Sequence, residues 1–221
     1  MKLLAEALTK FICGLMLVGV LIFLPAGTVM HTYGWLLMAL LFAPMLIAGL
    51  AMLHKSPEFL KKRLDAKEKQ GTQKGVVAFS GLMFIAGFVV AGLDFRFGWS
   101  TMPGWVVIAA SALFLTAYAL YAEVMRENAY LSRTIKVEEG QRVVDTGMYG
   151  LVRHPMYAVT ILLFLMIPLL LGSWYALIAF AFYPVVIVVR LMDEEELLTR
   201  ELSGYAEYKK KVKYRLIPFV W

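Results

Sequence analysis

Long apolar runs alternate with short polar segments along the chain, and the runs have the length that a membrane-spanning helix needs. Four of them lie in the first part of the sequence, over Phe11–Val29, Tyr33–Leu53, Gly75–Leu93 and Gly104–Ala122. At about 1.5 Å per residue, a helix of about 20 residues crosses the roughly 30 Å hydrocarbon core of a bilayer. The pattern therefore predicts four membrane spans within residues 1–125.

Two further apolar runs, Met156–Leu171 and Trp174–Leu191, are separated only by Gly172-Ser173, a pair that is typical of turns. The first run has 16 residues. As a helix it would measure about 24 Å, less than the hydrocarbon core. We predict a tight hairpin whose first helix is short or crosses only partly, with a kink at Pro184 in the second. Polar sequence follows from Met192, and an amphipathic segment that ends at Tyr208 predicts a helical tail.

The composition supports an all-α, polytopic membrane protein of about six transmembrane helices. Of the 221 residues, 61% are hydrophobic, which is more than an ordinary soluble domain contains. We expect one membrane domain over residues 1–221, with no separate soluble catalytic domain. The single Cys13 excludes an internal disulfide and a cysteine zinc site.

Lysine and arginine collect on one side of this topology. With six spans and both termini on the same side, all of the 22 Lys and Arg residues except Arg96 fall on or near one face. The loop His54–Lys74 is especially basic and includes Lys67 and Lys69. The positive-inside rule then predicts that both termini lie in the cytoplasm. The net charge of +6 has this simpler origin and does not indicate nucleic-acid binding.

Polar side chains concentrate where the predicted hairpin begins and where it ends. These residues are Tyr149, Arg153, His154 and Tyr157 at its entry, and Arg190, Asp193, Glu194 and Glu195 at its exit. Pro155 disfavours helix for His154 and suits the first helical position, so Arg153 and His154 should lie at a helix N-terminus. Free backbone N–H groups there favour a carboxylate or phosphate ligand. Because a tight hairpin brings its two ends together, we predict a site at its cytoplasmic mouth.

Each of these residues also has a purely structural interpretation. An arginine at a helix end can reach lipid phosphates, His154 can cap a turn, and tyrosines are common at membrane interfaces. The combination favours a site, because Arg190 and Glu194 are four residues apart and share a helix face. The sequence contains no glycine-rich dinucleotide motif, no phosphate-binding loop and no GxSxG motif, and its three scattered histidines predict no metal site.

Several motifs occur in a fixed order near the C-terminus. They are Gly147-Met148-Tyr149, Arg153-His154-Pro155-Met156-Tyr157, Arg190 with Glu194-Glu195, Leu198, Glu201–Tyr208 and Tyr214–Pro218. In order and spacing, the sequence from about Val143 to Trp221 resembles the isoprenylcysteine carboxyl methyltransferase family, which is grouped with membrane phospholipid methyltransferases. It departs from the family at Ala158-Val159, where many members have a glycine, and we expect only slightly altered helix packing there.

The resemblance implies that residues 126–221 are the catalytic part and that S-adenosylmethionine is the methyl donor, bound at the cytoplasmic face under the tail. It also implies a lipophilic small-molecule or prenylated acceptor that enters from the bilayer. The residues that it assigns to cofactor binding are Tyr149, His154, Pro155, Tyr157, Glu195, Tyr205 and Tyr208, and those that it assigns to catalysis are Arg153, Arg190 and Glu194.

The chemistry of these side chains suits the implied roles. Arg153, His154 and the helix N–H groups suit the carboxylate of the donor, a glutamate suits its ammonium or ribose hydroxyls, and tyrosines can enclose its adenine. A carboxylate acceptor is already ionised at neutral pH and needs only orientation, for which Arg190 is placed. An amine or thiol acceptor needs a base, and Glu194 is the candidate.

The predicted function is methyl transfer to a lipophilic acceptor, similar to that of a protein-S-isoprenylcysteine O-methyltransferase. Three alternatives stay open from the sequence. One is a phospholipid N-methyltransferase, and another is an NADPH-dependent membrane reductase of the sterol type, whose C-terminal pocket is similar. The third is a membrane scaffold without catalytic activity, which would give no reason for the paired motifs.

Overall fold

The computed structural model describes residues 2–65, 71–131, 135 and 137–221. Lys67 and Lys69 of the predicted basic loop lie outside these ranges. Within the described part, every regular element is helical. The helices are α1 (Lys2–Ala26), α2 (Thr32–Lys55), α3 (Pro57–Leu64), α4 (Gly71–Phe97), α5 (Gly104–Glu127), a 3₁₀ turn (Gly147–Gly150), α6 (Pro155–Leu170), α7 (Trp174–Phe180), α8 (Tyr183–Glu201) and α9 (Tyr205–Lys211). The all-α prediction is confirmed for these residues.

Five helical segments are long and apolar enough to cross a membrane. They are Lys2–Ala26, Thr32–Lys55, Gln73–Phe97, Gly104–Glu127 and Trp174–Glu201. These segments support an integral membrane protein and include the four spans predicted in the N-terminal part. The predicted fifth span is the apolar helix α6, which is shorter than the other five segments. The total of six spans therefore stays a prediction.

The predicted bounds of the first span were wrong at both ends. The sequence predicted Phe11–Val29, whereas α1 runs from Lys2 to Ala26. Apolar content marks only the part of a helix that contacts lipid, and α1 begins earlier, with Lys10 paired to Glu6 on its polar first turns. Gly27 ends the helix because its φ of 69° is a left-handed conformation that favours glycine.

The second apolar run of the hairpin is interrupted at Ala181-Phe182, between α7 and α8. Pro184 follows in the first turn of α8. A proline inside a helix lacks the N–H that would donate to the preceding turn, and its ring clashes with that turn, so the helix ends and restarts there. The interruption lies close to Pro184, and a bend of the helix axis there stays a prediction.

The turn of the hairpin lies at the end of the bundle that is opposite the predicted site. Gly172 adopts a φ of 74°, and the Ser173 hydroxyl accepts a hydrogen bond from Ala176 N at 3.0 Å. The same hydroxyl donates to the buried Asp94 carboxylate at 2.5 Å, and Ser100 donates to that carboxylate through N and Oγ. These bonds join the hairpin turn to the end of α4.

Close packing of the apolar helices fixes their relative positions. Phe114 and Ala117 of α5 lie in one buried cluster with Leu163 and Ile167 of α6. Helices α1 and α4 approach closely at Gly92, where an added Cβ would lie 2.5 Å from the carbonyl oxygen of Ile22. Small residues permit such an approach between membrane helices. The start of α6 is thereby held beside the ends of α5 and α8.

The tail folds back over the start of α6. Gly204, with a φ of 83°, allows the turn into α9, whose Tyr205 and Tyr208 are buried. The chain then returns past the hairpin entry. Arg153 N donates to the carbonyl of Tyr214, and His154 N donates to that of Arg215, each at 2.9 Å. The predicted helical tail is confirmed and lies at the same end of the bundle as the hairpin entry, which we call the site end.

Candidate active site

The loop before α6 is fixed by Glu127 at the end of α5. Its carboxylate accepts a hydrogen bond from Met148 N at 2.9 Å, and a Cβ at Gly147 would collide with the same carboxylate. Gly147 also has a φ of 52°, so this position requires glycine on two grounds. Pro155 is the first residue of α6 and His154 precedes it, as predicted.

A buried carboxylate joins both ends of the hairpin to the tail. Glu195 Oε1 accepts from Arg153 Nε at 2.6 Å and lies 3.2 Å from His154 Nε2, while Arg215 Nε donates to Oε2 at 3.1 Å. We call these four residues the clamp. Glu195 is only 3% exposed. Because charge-assisted hydrogen bonds are short and strong, the clamp holds α6, α8 and the tail together.

Arg153 uses its Nε and both N–H groups of Nη1 in bonds within the protein. In addition to Glu195, its Nη1 donates to the carbonyls of Val212 at 2.8 Å and Lys213 at 2.9 Å. A buried guanidinium needs such partners, since an unpaired buried charge is strongly destabilising. The geometry gives Arg153 a clear positioning role toward the tail.

Two tail tyrosines complete this side of the site. The Tyr208 hydroxyl donates to the carbonyl of Tyr149 at 2.7 Å, and the Tyr205 hydroxyl lies 3.5 Å from His154 Nε2. Burial raises the pKa of both phenols well above the ordinary value. Both tyrosines therefore stay neutral at physiological pH.

A second polar network runs along the other side of α8. The Tyr157 hydroxyl donates to Glu194 Oε2 at 2.5 Å and accepts from Arg190 Nε at 3.1 Å. Arg190 Nη1 donates to Gln73 Oε1 at 3.2 Å, and Gln73 Nε2 donates to Asp193 Oδ2 at 2.7 Å. We call these five residues the α8 network. The predicted proximity of Arg190 and Glu194 is confirmed, with the Tyr157 hydroxyl bonded to both.

A cavity opens between the start of α6, the end of α8 and the tail. Its empty space, counted out through the open mouth into solvent, is about 790 Å³. Seven residues singled out from the sequence line it, namely Tyr149, Arg153, His154, Tyr157, Glu194, Tyr205 and Tyr208. Glu195 lies behind Arg153 and His154, and the lining of this cavity includes neither Pro155 nor Arg190 among the described residues.

The sequence did not single out the remaining wall. Asn128, Tyr130, Gln141 and Arg142 supply polar groups there, and Leu131, Ile135, Val143 and Val144 supply apolar ones. Apart from Arg142, which was noticed only as one of many basic residues, no charge or spacing marks them. Gln73 was missed for a similar reason, since hydropathy alone assigns it to a polar loop.

The lining residues fit a ligand with an amino-acid part and a planar ring. The Tyr149 hydroxyl is buried and has no hydrogen-bond partner among the described residues, although Asn128 lies close enough to lower its pKa slightly. Burial dominates and raises the pKa of this phenol, so Tyr149 can donate to a ligand. Glu194 suits a cationic group, and the aromatic rings suit a base. No group of three or more His, Cys, Asp and Glu side chains in the described ranges is arranged to hold a metal ion.

Comparison with known families covers α5 through most of α8. Residues 105–200 match the isoprenylcysteine carboxyl methyltransferase (ICMT) family. The resemblance predicted from the sequence is confirmed over these residues. The match begins earlier than the predicted Val143 and includes α5, whose Glu127 positions the loop before α6. With the apolar helices, the ICMT match supports a membrane methyltransferase.

Individual relatives are similar over shorter stretches. The chain is 32% identical to the Delta(14)-sterol reductase TM7SF2 of Mus musculus over 91 residues, which are 40% of this chain and 22% of that protein. It is 23% identical to a Delta(14)-sterol reductase of Methylotuvimicrobium alcaliphilum over 135 residues, 54% of this chain and 32% of the relative. It is 34% identical to the uncharacterized protein YpbQ of Bacillus subtilis over 95 residues, 42% of this chain and 56% of YpbQ. The chain thus spans about a fifth to about half the length of these relatives.

Proposed function

We propose that this protein is an integral membrane methyltransferase that transfers the methyl group of S-adenosylmethionine to a lipophilic acceptor. The observation that carries the proposal is the cavity at the site end. Its lining includes residues at the start of α6 that lie within the ICMT match, together with a carboxylate, basic groups and several aromatic rings. The charge distribution supports a cytoplasmic location for the site and for both termini.

Different residues of the cavity bind different parts of the donor. Glu194 pairs with the ammonium group, and Tyr149, Tyr205 and Tyr208 surround the adenine and ribose. His154 donates to the carboxylate. The backbone N–H groups of Arg153, His154, Tyr157 and Ala158 are bonded to carbonyls within the protein, and Pro155 has none. Tyr157 lines the wall beside the carboxylate, and Pro155, which lies outside the lining, starts the helix that carries Tyr157. Glu195, which the sequence assigned to the donor, acts through Arg153 and His154 because its own oxygens are engaged in the clamp.

Bound S-adenosylmethionine supplies an electrophilic methyl group on a sulfonium. In the reaction its C–S bond breaks as a bond forms between that carbon and the acceptor, leaving S-adenosylhomocysteine. The protein supplies alignment and excludes water. A prenylcysteine carboxylate needs no base, and Arg190 orients it from the α8 network. The acceptor reaches Arg190 from the bilayer.

Cofactor titration tests the proposal directly. We expect the purified protein in detergent micelles to bind S-adenosylmethionine or S-adenosylhomocysteine by calorimetry and to give no heat with NADPH. His154→Ala should weaken this binding by roughly 10- to 150-fold, the effect of losing one charge-assisted hydrogen bond. Binding of NADPH in place of the sulfonium compounds would overturn the proposal.

The acceptor class can be separated with one substitution. Glu194→Gln should keep transfer to a farnesylcysteine analogue at saturating donor, because an ionised carboxylate requires no proton removal. The unsubstituted protein should not methylate phosphatidylethanolamine, whose amine would need Glu194 as the base. The exposed neighbour Glu196→Gln is the matched control. Transfer to phosphatidylethanolamine that depends on Glu194 would assign the protein to phospholipid N-methylation.

A reductase is the second candidate, and one observation favours it. Two of the relatives described above are named Delta(14)-sterol reductases. Arg142 in the cavity wall offers a cation for a phosphate of NADPH. The ICMT match over residues 105–200 weighs toward methyl transfer, and the titration with both cofactors separates the two candidates.

A further inference from the structure

The last residues of the tail form a closed loop on the surface of the bundle. Leu216 N and Ile217 N both donate to the carbonyl of Trp221, at 2.9 and 3.1 Å, and Trp221 N donates back to the carbonyl of Ile217 at 3.1 Å. We call residues 216–221 the hook. Its backbone bonds give these six residues a defined shape.

One side of the hook is apolar and exposed. Ile217 is 56% exposed, Phe219 87% and Val220 74%. Leu216, directly before them, is buried in a cluster with Tyr157 and Leu191. The exposed side chains therefore begin where the chain leaves the surface of α8, which itself presents Val189 and Met192 outward near the site end. Contiguous exposed apolar side chains mark a binding surface.

We propose that the hook lies in the interfacial layer of the bilayer that the helices cross, with Phe219 and Val220 inserted among the lipids. The segment just before it carries Lys209, Lys210 and Lys213, a cluster of positive charge that attracts anionic head groups. The nearby Lys211 and Arg215 are paired with Asp145 and Glu195. An apolar tip that follows a basic segment is the pattern of an interfacial anchor. Leu216 packs in one cluster with Leu191 of α8, whose neighbour Met192 is exposed, and this contact holds the hook against a helix long and apolar enough to cross the membrane.

The anchor connects to the candidate active site through the backbone. Residues 212–215 lie between the hook and the clamp, and their carbonyls accept bonds from Arg153 and His154. Insertion of the hook would therefore hold the C-terminal end of residues 212–215 at the membrane, while the clamp holds the same segment at the candidate active site. The inference concerns the tail and does not depend on which reaction the protein catalyses.

The tryptophans allow a specific test. Trp35, Trp99, Trp105 and Trp174 lie in the segments at the opposite end of the bundle, and Trp221 is the fifth of the five tryptophans. The fluorescence emission of Trp221 is obtained by subtracting the spectrum of the Trp221→Phe variant from that of the unsubstituted protein. Both proteins are measured in nanodiscs of phosphatidylcholine and phosphatidylglycerol. We expect lipids brominated near the head group to remove most of this emission, and aqueous iodide to remove little. Strong quenching by iodide with none by brominated lipid would overturn the proposal.

Matched substitutions check that lipid insertion causes the quenching. Phe219→Ser with Val220→Ser should abolish quenching by brominated lipid, whereas Phe219→Leu with Val220→Leu should retain it. Burial of one phenylalanine shifts a partition equilibrium by roughly 10- to 150-fold, so the serine pair should release the hook. Equal quenching in the serine and leucine pairs would contradict the proposal. If the serine pair fails to fold, the quenching of Trp221 in the unsubstituted protein, measured against Trp221→Phe, still tests it.

A second copy of the chain is the competing occupant. In a Cys13→Ser background, Val220→Cys should yield few disulfide-linked dimers in nanodiscs that hold two protein molecules. A high dimer yield, together with Trp221 emission that brominated lipid does not affect, would assign the hook to a protein interface and overturn the proposal.

Discussion

Glu194 and Glu195 are neighbours in the sequence and have opposite surroundings in the structure. Glu195 is buried behind the cavity and is held by Arg153, His154 and Arg215. Glu194 lines the cavity and accepts from the Tyr157 hydroxyl. A helix turns about 100° per residue, so adjacent side chains face different neighbours. The comparison separates a carboxylate that builds the site from one that faces a ligand.

The difference also explains why burial alone does not identify a catalytic residue. The clamp is the more buried and more highly connected of the two networks, as expected of a buried charge that must be compensated. Both networks reach the cavity wall, but Glu194 lines the cavity whereas Glu195 does not, which leaves Glu194 able to exchange a protein partner for a ligand. We therefore place the chemistry on the Glu194 side.

The largest effect should follow from removing the clamp carboxylate. Glu195→Ala leaves the buried Arg153 without its counter-charge, which should cost about 3–5 kcal/mol of unfolding free energy. We expect a lower midpoint of thermal unfolding in micelles and faster tryptic cleavage at Lys209–Lys213, because the tail is released. Glu196→Ala on the exposed side is the control. A stable Glu195→Ala protein that loses only donor binding would instead support direct contact between Glu195 and the donor.

The next effect concerns turnover without loss of fold. Arg190→Ala should lower the rate of transfer to a carboxylate acceptor by about 10²-fold or more, as expected for removal of one well-placed electrostatic group. Donor affinity should change little. Arg190→Lys should restore activity only in part, because an ammonium lacks the bidentate geometry of the guanidinium. The exposed Arg200→Ala is the control on the same helix.

Two outcomes would change the assignment of Arg190. An equal loss of donor affinity and turnover would make it part of the donor site. Complete rescue by lysine would mean that only positive charge is required, as for a lipid phosphate, and would favour phospholipid methylation. Single-turnover rates and donor titrations on the same preparations separate these cases.

A smaller effect should come from the hydroxyl that joins Arg190 to Glu194. Tyr157→Phe removes the two hydrogen bonds of the hydroxyl but keeps the ring and both charged partners, so we expect turnover to fall by up to roughly tenfold, about 1.4 kcal/mol in the barrier. Tyr175→Phe at the opposite end of the bundle is the control. If Tyr157→Phe were as inactive as Arg190→Ala, the phenol itself would have a direct part in the reaction.

The smallest effect should be at an exposed ion pair of the tail. Lys211 Nζ donates to Asp145 Oδ2 at 2.6 Å, and this bond lowers the pKa of the Asp145 carboxyl. The pair therefore stabilises the folded state at pH values above the ordinary pKa of aspartate. This stabilisation is lost as the pH falls through the lowered pKa of Asp145 in the folded state. Asp145→Asn should leave the unfolding midpoint unchanged at neutral pH, since exposed pairs contribute little. A large decrease would show that the tail depends on this surface contact as well as on the clamp.

Hydropathy predicts most of this fold because lipid contact is a property of single segments. It located the four N-terminal spans, the hairpin turn at Gly172-Ser173 and the break near Pro184. It misplaced the ends of α1, which includes the polar pair of Lys10 and Glu6 and ends before Gly27 in its left-handed conformation. Helix ends depend on local backbone geometry and capping, which average hydrophobicity does not detect.

The candidate site was predictable only where its residues form a local pattern. The Arg153–Tyr157 motif and the exit residues of α8 have such a pattern, and the structure brings them together. Gln73 is 117 residues from Arg190 in the chain, and Asn128 and Gln141 are neutral side chains in a polar loop. Nothing in their own neighbourhood marks them. Whether Glu194 or Glu195 faces the cavity depends on the rotation of α8, which only tertiary packing fixes.

The clamp also sets the order of events during synthesis. Arg153 is translated and placed at the membrane surface before Glu195 exists, and its last partners, the carbonyls of Val212 and Lys213, come later still. Until the ribosome has released that stretch, the guanidinium must stay hydrated or bind a lipid phosphate. The cavity is therefore completed as a late step, after the helices around it have been inserted. A chain that stops before residue 212 would therefore lack both carbonyl partners of Arg153 Nη1.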